Sequence, residues 1–152
     1  MASINTNRLL IAGMAAGVVL FITDGLINGG LLADQWSTYQ RSIGKSGEFS
    51  TTQMTIFGVI DLIAGLVLAW VYAAIRPRFG AGPATGLRAG LVVWLILNIS
   101  SAFLVASNAL PANLVGMAAG FGLIQYLAVG MLAGYLYKEE GAPAPRRSAA
   151  RA

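Results

Sequence analysis

The chain has 152 residues, of which 57% are hydrophobic and 11% charged, with a formal net charge of +4. An average soluble domain carries about 25% charged residues, so this composition excludes an ordinary soluble protein, and the positive charge reads as membrane orientation rather than nucleic-acid binding. Cysteine and histidine are absent, which excludes disulfides, thiolate metal sites, Ser-His-Asp or Cys-His catalysis and histidine-ligated haem.

A hydrocarbon core of about 30 Å requires roughly 20 helical residues. Four stretches meet that requirement: about Leu9–Ala33, Met54–Ile75, Leu87–Ser107 and Asn113–Tyr137. They are too long and too continuously apolar for barrel strands. The expected fold is all-α: one domain over residues 1–140 with four transmembrane helices, arranged as two antiparallel hairpins.

The first span follows a single basic residue, Arg8, and so has the outline of a signal peptide. Asp24 interrupts its apolar run and no convincing small-residue cleavage site follows, so an uncleaved span is expected. A long loop, Asp34–Ser50, leads to the second span, which Ser50-Thr51-Thr52-Gln53 opens as a capping box. Arg76-Pro77 followed by Gly80 and Gly82 is expected to close it. Asn108 and Pro111 mark a tight turn between the third and fourth spans. Trp36, Tyr39, Trp70, Tyr72, Tyr135 and Tyr137 fall near span ends, where aromatic belts form.

Arg8, Arg76, Arg78, Arg88, Lys138, Arg146, Arg147 and Arg151 fall on one side of these spans, and Arg41 and Lys45 on the other. The positive-inside rule then places both termini in the cytoplasm. Arg76, Arg78 and Arg88 form a cytoplasmic anchor. The Ala-, Pro- and Arg-rich stretch 141–152 is expected to be a disordered basic cytoplasmic tail.

Asp24 and Asp61 are the residues that most invite a role, because a carboxylate at membrane depth is costly unless protonated, hydrogen-bonded or facing water. At 100° per residue, Gly13, Gly17, Asp24 and Asn28 share one face of the first helix. Gly58, Asp61, Gly65, Ala69 and Tyr72 share one face of the second. Small residues let helices approach closely, so the two faces are expected to meet, with both aspartates in the outer half at similar depth. Two carboxylates sharing a dry site cannot both stay ionised. Three readings are open: a hydrogen-bonded pair that fixes the hairpin, a proton or cation site of Asp24, Asp61 and Asn28, and a sparse oxygen-ligand metal site. Arg41 or Lys45 folding back onto Asp24 is a further possibility. No metal and no cofactor is expected.

Phe57-Gly58-Val59-Ile60-Asp61 is echoed by Phe121-Gly122-Leu123-Ile124-Gln125, and Asp24 corresponds roughly to Asn98. The echo suggests an internal duplication in which Asn98 and Gln125 are the polar, uncharged counterparts of the aspartates. Ser100 and Ser101 are expected to bond their own helix backbone. On the fourth helix, Gln125 lies roughly opposite the stripe of Gly116, Gly120, Gly130 and Gly134. Two packing faces follow, one for the chain itself and one for a possible homo-oligomer through this helix. The lipid bilayer is the other expected partner, and nucleic acid is not.

The segments Asn28-Gly29-Gly30-Leu31-Leu32-Ala33-Asp34-Gln35-Trp36 and Trp70-Val71-Tyr72-Ala73-Ala74-Ile75-Arg76-Pro77-Arg78-Phe79-Gly80 resemble those of a family of small four-helix bacterial integral membrane proteins with no assigned activity. The resemblance extends through Gly82-Pro83 and Gly86-Leu87-Arg88-Ala89-Gly90 and covers most of the chain except the tail. It implies four helices in a bacterial inner membrane and carries over no functional residue. The expected function is that of a non-enzymatic accessory or structural membrane protein. The alternative is a small proton- or cation-coupled transporter, or a leak pathway, using Asp24 and Asp61.

Overall fold

A computed structural model describes residues 4–137 of the chain. The expected stretch 141–152, together with Lys138, lies outside the described residues. The fold is all-α, with four helices long and apolar enough to cross a membrane. The protein is therefore read as a multi-pass integral membrane protein.

Helix α1 spans Thr6–Leu26, and its N-terminus is capped by the Asn5 side chain, which accepts from the Arg8 N–H. It continues directly into a π-helical turn, Ile27–Leu31, so the first span is not the uniform helix expected from its apolarity. Gly29 and Gly30 fall inside that turn, where helix propensity is low. Helix α2, Ala33–Ser42, follows and occupies much of the segment 34–50 that was expected to be loop. Its sequence is polar and short, so it carries no membrane-length apolar run. Its own signals are Asp34 in the first turn and Arg41 in the last, both matched to the helix dipole.

Helix α3, Thr51–Phe79, is opened by the capping box: Ser50 Oγ accepts from the Gln53 N–H at 3.2 Å and Gln53 Oε1 from the Ser50 N–H at 2.8 Å. Its other end corrects the expectation, because Pro77 lies inside the helix rather than ending it. A proline so near the end forfeits one backbone bond and little else. The helix stops at Gly80, the first glycine of the expected closing signal, whose φ of 84° suits glycine and whose N–H bonds the Arg76 carbonyl at 2.9 Å. Helix α4, Pro83–Ala106, starts earlier than expected, with Pro83 in its first turn, where a missing N–H costs nothing. Asn108, at φ 58°, turns the chain into α5, Ala112–Leu136.

The membrane helices α1, α3, α4 and α5 contact one another in ring order, with α3 also touching α5 across the centre. The arrangement is an up-down-up-down bundle. The Asn5 N–H donates to the Tyr137 hydroxyl at 3.1 Å, so both ends of the described chain lie at one end of the bundle. That end is called the terminal end below, and the opposite one the α2 end.

Two glycine crossings close the terminal half. A Cβ on Gly65 would lie 2.5 Å from both the Gly13 carbonyl oxygen and the Gly17 Cα, and one on Gly17 would lie 2.6 Å from the Leu62 Cα. Helices α1 and α3 therefore meet backbone to backbone on the faces the sequence predicts. Helices α4 and α5 cross in the same way, with Gly86 against Gly130 and Gly90 against the Tyr126 carbonyl. The two crossings are alike, yet Gly65 and Gly130 are one residue out of step with the Asp61–Gln125 echo.

Tyr72 and Tyr137 have the sequence position of aromatic-belt residues, but the fold buries both. Their rings meet edge to face at 5.9 Å, and the Tyr72 hydroxyl accepts from the Gly82 N–H at 3.0 Å. Trp70 and Tyr135 remain exposed. Arg76 stacks over the Tyr137 ring at 6.0 Å and Arg88 over Phe79 at 4.7 Å. These basic anchors therefore lie against aromatic rings at the terminal end.

Candidate functional site

The half of the bundle nearer α2 is built differently. Beyond Gly90, the next large residue on α4 facing α5 is Trp94, whose indole N–H donates to the Ala119 carbonyl at 3.0 Å. Beyond Gly17, α1 presents Phe21 to Gly58, with ring atoms 3.3 Å from where a Cβ would stand. Glycine contacts thus give way to aromatic ones toward the α2 end, and the helices are held further apart there. Two cavities occupy the space.

The first, about 180 Å³, is polar and lies between α1, α4 and α5; Asp24, Asn28, Asn98, Ser101, Gln125 and Tyr126 contribute to its wall. The second, about 270 Å³, is lined by Phe21, Phe49, Met54 and Phe57, with Asp24, Asn28 and Trp36. Asp24, Asn28, Trp36 and Ala118 border both. Three of these form a hydrogen-bonded chain: the Trp36 indole N–H donates to Asn28 Oδ1 at 2.9 Å, and Asn28 Nδ2 donates to Asp24 Oδ1 at 2.9 Å. The π-helical turn and α2 bring Trp36 back over Asn28, and the long loop matters through this contact. Asp24 is therefore held by Asn28 rather than by a cation from the loop. Arg41 lies against Gly47 and Ser37 instead.

The proposed same-depth pair needs correction. Gly13 faces Leu66, Gly17 faces Leu62 and Phe21 faces Gly58, so in this antiparallel register Asp24 stands level with Thr55. Asp61 is six residues deeper, about 9 Å at 1.5 Å per residue. No hydrogen bond among the described residues joins the two carboxylates. The apparent span ends do not report depth, because α1 proper ends at Leu26, short of the apolar run's end, whereas α3 begins at Thr51, three residues before its own run. Asp61 is only 7% exposed, and its Oδ2 is buried without a hydrogen-bond partner. Tyr126, in the wall of the polar cavity, lies within electrostatic reach of both aspartates.

Of the predicted counterparts, Gln125 is buried, and its Nε2 donates to the Leu20 carbonyl at 3.1 Å and to Thr23 Oγ1 at 2.7 Å. It ties α5 to α1. Asn98 bonds the Trp94 carbonyl at 2.9 Å, and Ser101 bonds the Leu97 carbonyl at 3.3 Å, each within its own helix. The fold thus brings Asp24, Asn28, Asn98 and Gln125 to one cavity and leaves Asp61 outside it. The α5 glycine stripe divides: Gly130 and Gly134 pack against α4 and Tyr72, whereas Gly116 and Gly120 have open space. Both expected faces of α5 are thus used within the chain near Gln125 and Gly130. Among the described residues no group of three or more acidic side chains converges on a metal-sized site.

Sequence reasoning missed Trp36 and Phe49 as parts of this site. The Trp36–Tyr39 pair in a polar segment was the available signal. Trp36 meets Phe49 at 6.1 Å, Phe49 meets Phe57 at 5.6 Å, and the Tyr39 hydroxyl fastens α2 to the Ala109 carbonyl at 2.6 Å. The chain matches no family model, and it shows no detectable similarity to a curated protein or to a solved structure.

Proposed function

We propose that the protein is a non-enzymatic, non-conducting bundle of the bacterial inner membrane, an accessory or structural protein with a polar site accessible from one side only. Both termini face the cytoplasm in this reading, consistent with Arg8, Arg76, Arg78 and Arg88 against Arg41 and Lys45. The α2 end then faces outward.

The observation that carries the proposal is the asymmetry along the bundle axis. The Asp24 cavities belong to the α2 half. Below them lie one apolar layer containing Ala16, Leu20, Leu68, Val93 and Val129, and a second containing Ala12, Ala69, Tyr72, Ala89 and Tyr137. The glycine crossings bring backbones into contact at these levels. A pathway needs continuous space; a separate cavity beside Tyr72, Gly82 and Tyr137 lies at the terminal end, and the two buried layers stand between it and Asp24.

Proteoliposomes loaded with a pH-sensitive dye test the proposal. Under a pH gradient or a potassium diffusion potential, the protein is expected to add no proton or cation flux over protein-free vesicles. Flux that disappears in Asp24→Asn or Asp61→Asn would overturn it. A second reading, coupled proton or cation transport, is favoured by the buried Asp61 Oδ2 that lacks a partner. A buried polar atom in that state invites a transient proton or ligand, and the same vesicles would reveal it.

A further inference from the structure

We propose that the aromatic cavity beside Asp24 is a binding site for a compact quaternary or tertiary ammonium cation. This inference rests on the one-sided site described above and assigns its ligand class.

The wall of the cavity combines four aromatic rings, Phe21, Trp36, Phe49 and Phe57, with the Met54 thioether and the Asp24 carboxylate. Adjacent rings stand steeply to one another, at 61° for Trp36–Phe49 and 83° for Phe49–Phe57. The pocket is partly open, with Phe21, Met54 and Phe57 each 36–40% exposed; an aromatic wall around a small space is how proteins hold alkylated ammonium ions, whose charge is attracted by the ring faces and whose alkyl groups prefer an apolar wall. Aromatic rings alone would accept any apolar molecule. The carboxylate makes the site selective for a cation. Asp24 Oδ1 accepts from Asn28, and among the described residues no lysine or arginine lines the cavity. Protein charges therefore leave a carboxylate facing an aromatic pocket.

The Asn28–Trp36 chain gives the arrangement its rigidity. It orients the carboxylate and at the same time fixes the indole as part of the wall. A cation binding here would meet preorganised groups, which is where binding energy is least spent on ordering side chains. The volume, about 270 Å³, exceeds the ~150 Å³ of an apolar cavity that holds a benzene-sized guest. That suits an ammonium ion carrying short alkyl groups. An alkali ion would gain little from the rings, because its hydration shell is costly to exchange for them, and a primary ammonium would bind through hydrogen bonds to Asp24 more than through the rings. An anion is excluded by Asp24.

The test is equilibrium dialysis of radiolabelled tetraethylammonium against the full chain in nanodiscs of choline-free lipid. One saturable site per chain is expected. The uncharged isostere 3,3-diethylpentane is expected not to displace the cation. Asp24→Asn should weaken binding about thirtyfold or more, as removal of one member of a desolvated charge pair does. Phe57→Leu should weaken it roughly fivefold, the equivalent of one partly exposed cation–π contact. Asp24→Glu, which keeps the charge, should retain binding and guards against a folding defect in the first variant. Choline lipid added to the nanodiscs separates two sources of the same chemistry: competition identifies a lipid headgroup, and unchanged affinity identifies a free cation. Either result supports the site. Absence of saturable binding by the parent protein, equal displacement by the neutral isostere, or unchanged affinity in Asp24→Asn overturns it. Ion flux in the proteoliposomes refutes the non-conducting bundle and leaves this site standing. Loss of tetraethylammonium binding with tight vesicles removes the site alone.

Discussion

Replacing Gly65 by alanine adds one methyl group at the point where α1 and α3 touch. Its Cβ would stand 2.5 Å from the Gly13 carbonyl oxygen and 2.5 Å from the Gly17 Cα. Carbon contacts settle at about 3.5–4.0 Å, so the two helices must part by about 1 Å. Overpacking typically costs about 1–3 kcal/mol. Here the obstructing atoms are backbone on the facing helix, with no rotamer to give way, so the upper end, ~3 kcal/mol, applies. Alanine returns ~0.5–1 kcal/mol through its better helix propensity. A net loss of ~2 kcal/mol follows. In a membrane this loss is acute, because helix association depends on close packing rather than on hydrophobic transfer. Gly116→Ala is the matched control, since a Cβ there meets nothing within 4 Å and should be neutral or stabilising by ~0.5–1 kcal/mol. The two chemically identical changes should therefore differ by ~3 kcal/mol. Equilibrium unfolding in mixed micelles, titrated with a denaturing detergent and followed by circular dichroism, measures the difference. Equal stability of the two variants, or a stabilised Gly65→Ala, would refute the backbone crossing.

Two further outcomes follow from the polar residues. Asp24→Asn and Asp61→Asn should be weakly non-additive, by ~0.5–1 kcal/mol in a double-mutant cycle, because the two carboxylates share no hydrogen bond yet lie within electrostatic reach of one another; coupling above ~2 kcal/mol would place them in direct contact. Gln125→Leu and Thr23→Val should also couple, by about 0.6–1.7 kcal/mol, the range measured for hydrogen bonds between membrane helices. Zero coupling in the same unfolding assay would show that the bond between Gln125 and Thr23 does not hold α5 to α1.

The four spans and the faces that bring Gly13 and Gly17 to Gly65 were readable from the sequence. So was the capping box at Ser50. Each depends on local periodicity or on a short-range bond, and both are written in neighbouring residues. The same applies to the turn at Asn108. Pro77 shows the limit of such signals: a proline is a strong helix breaker in a window, yet near the end of α3 it costs one bond and the chain continues to Gly80.

The candidate site was only half legible. Asp24, Asn28, Asn98 and Gln125 stand out as polar residues in apolar runs, and the fold gathers them at one cavity. Nothing local announces that Trp36 would return over Asn28, because that contact depends on the π-helical turn and on where α2 docks. The depth of Asp61 relative to Asp24 was equally hidden, since an antiparallel register is set by the glycine crossing and not by counting from either end. A four-span membrane bundle with two carboxylates inside it is legible from residue types and their spacing, because transfer free energy and helical period act residue by residue. That the carboxylates stand at different depths, one beside an aromatic cavity and one buried without a hydrogen bond at its Oδ2 among the described residues, emerges only from the packing of the helices. That outcome depends on how closely two backbones approach in one half of the bundle and how far aromatic side chains hold them apart in the other.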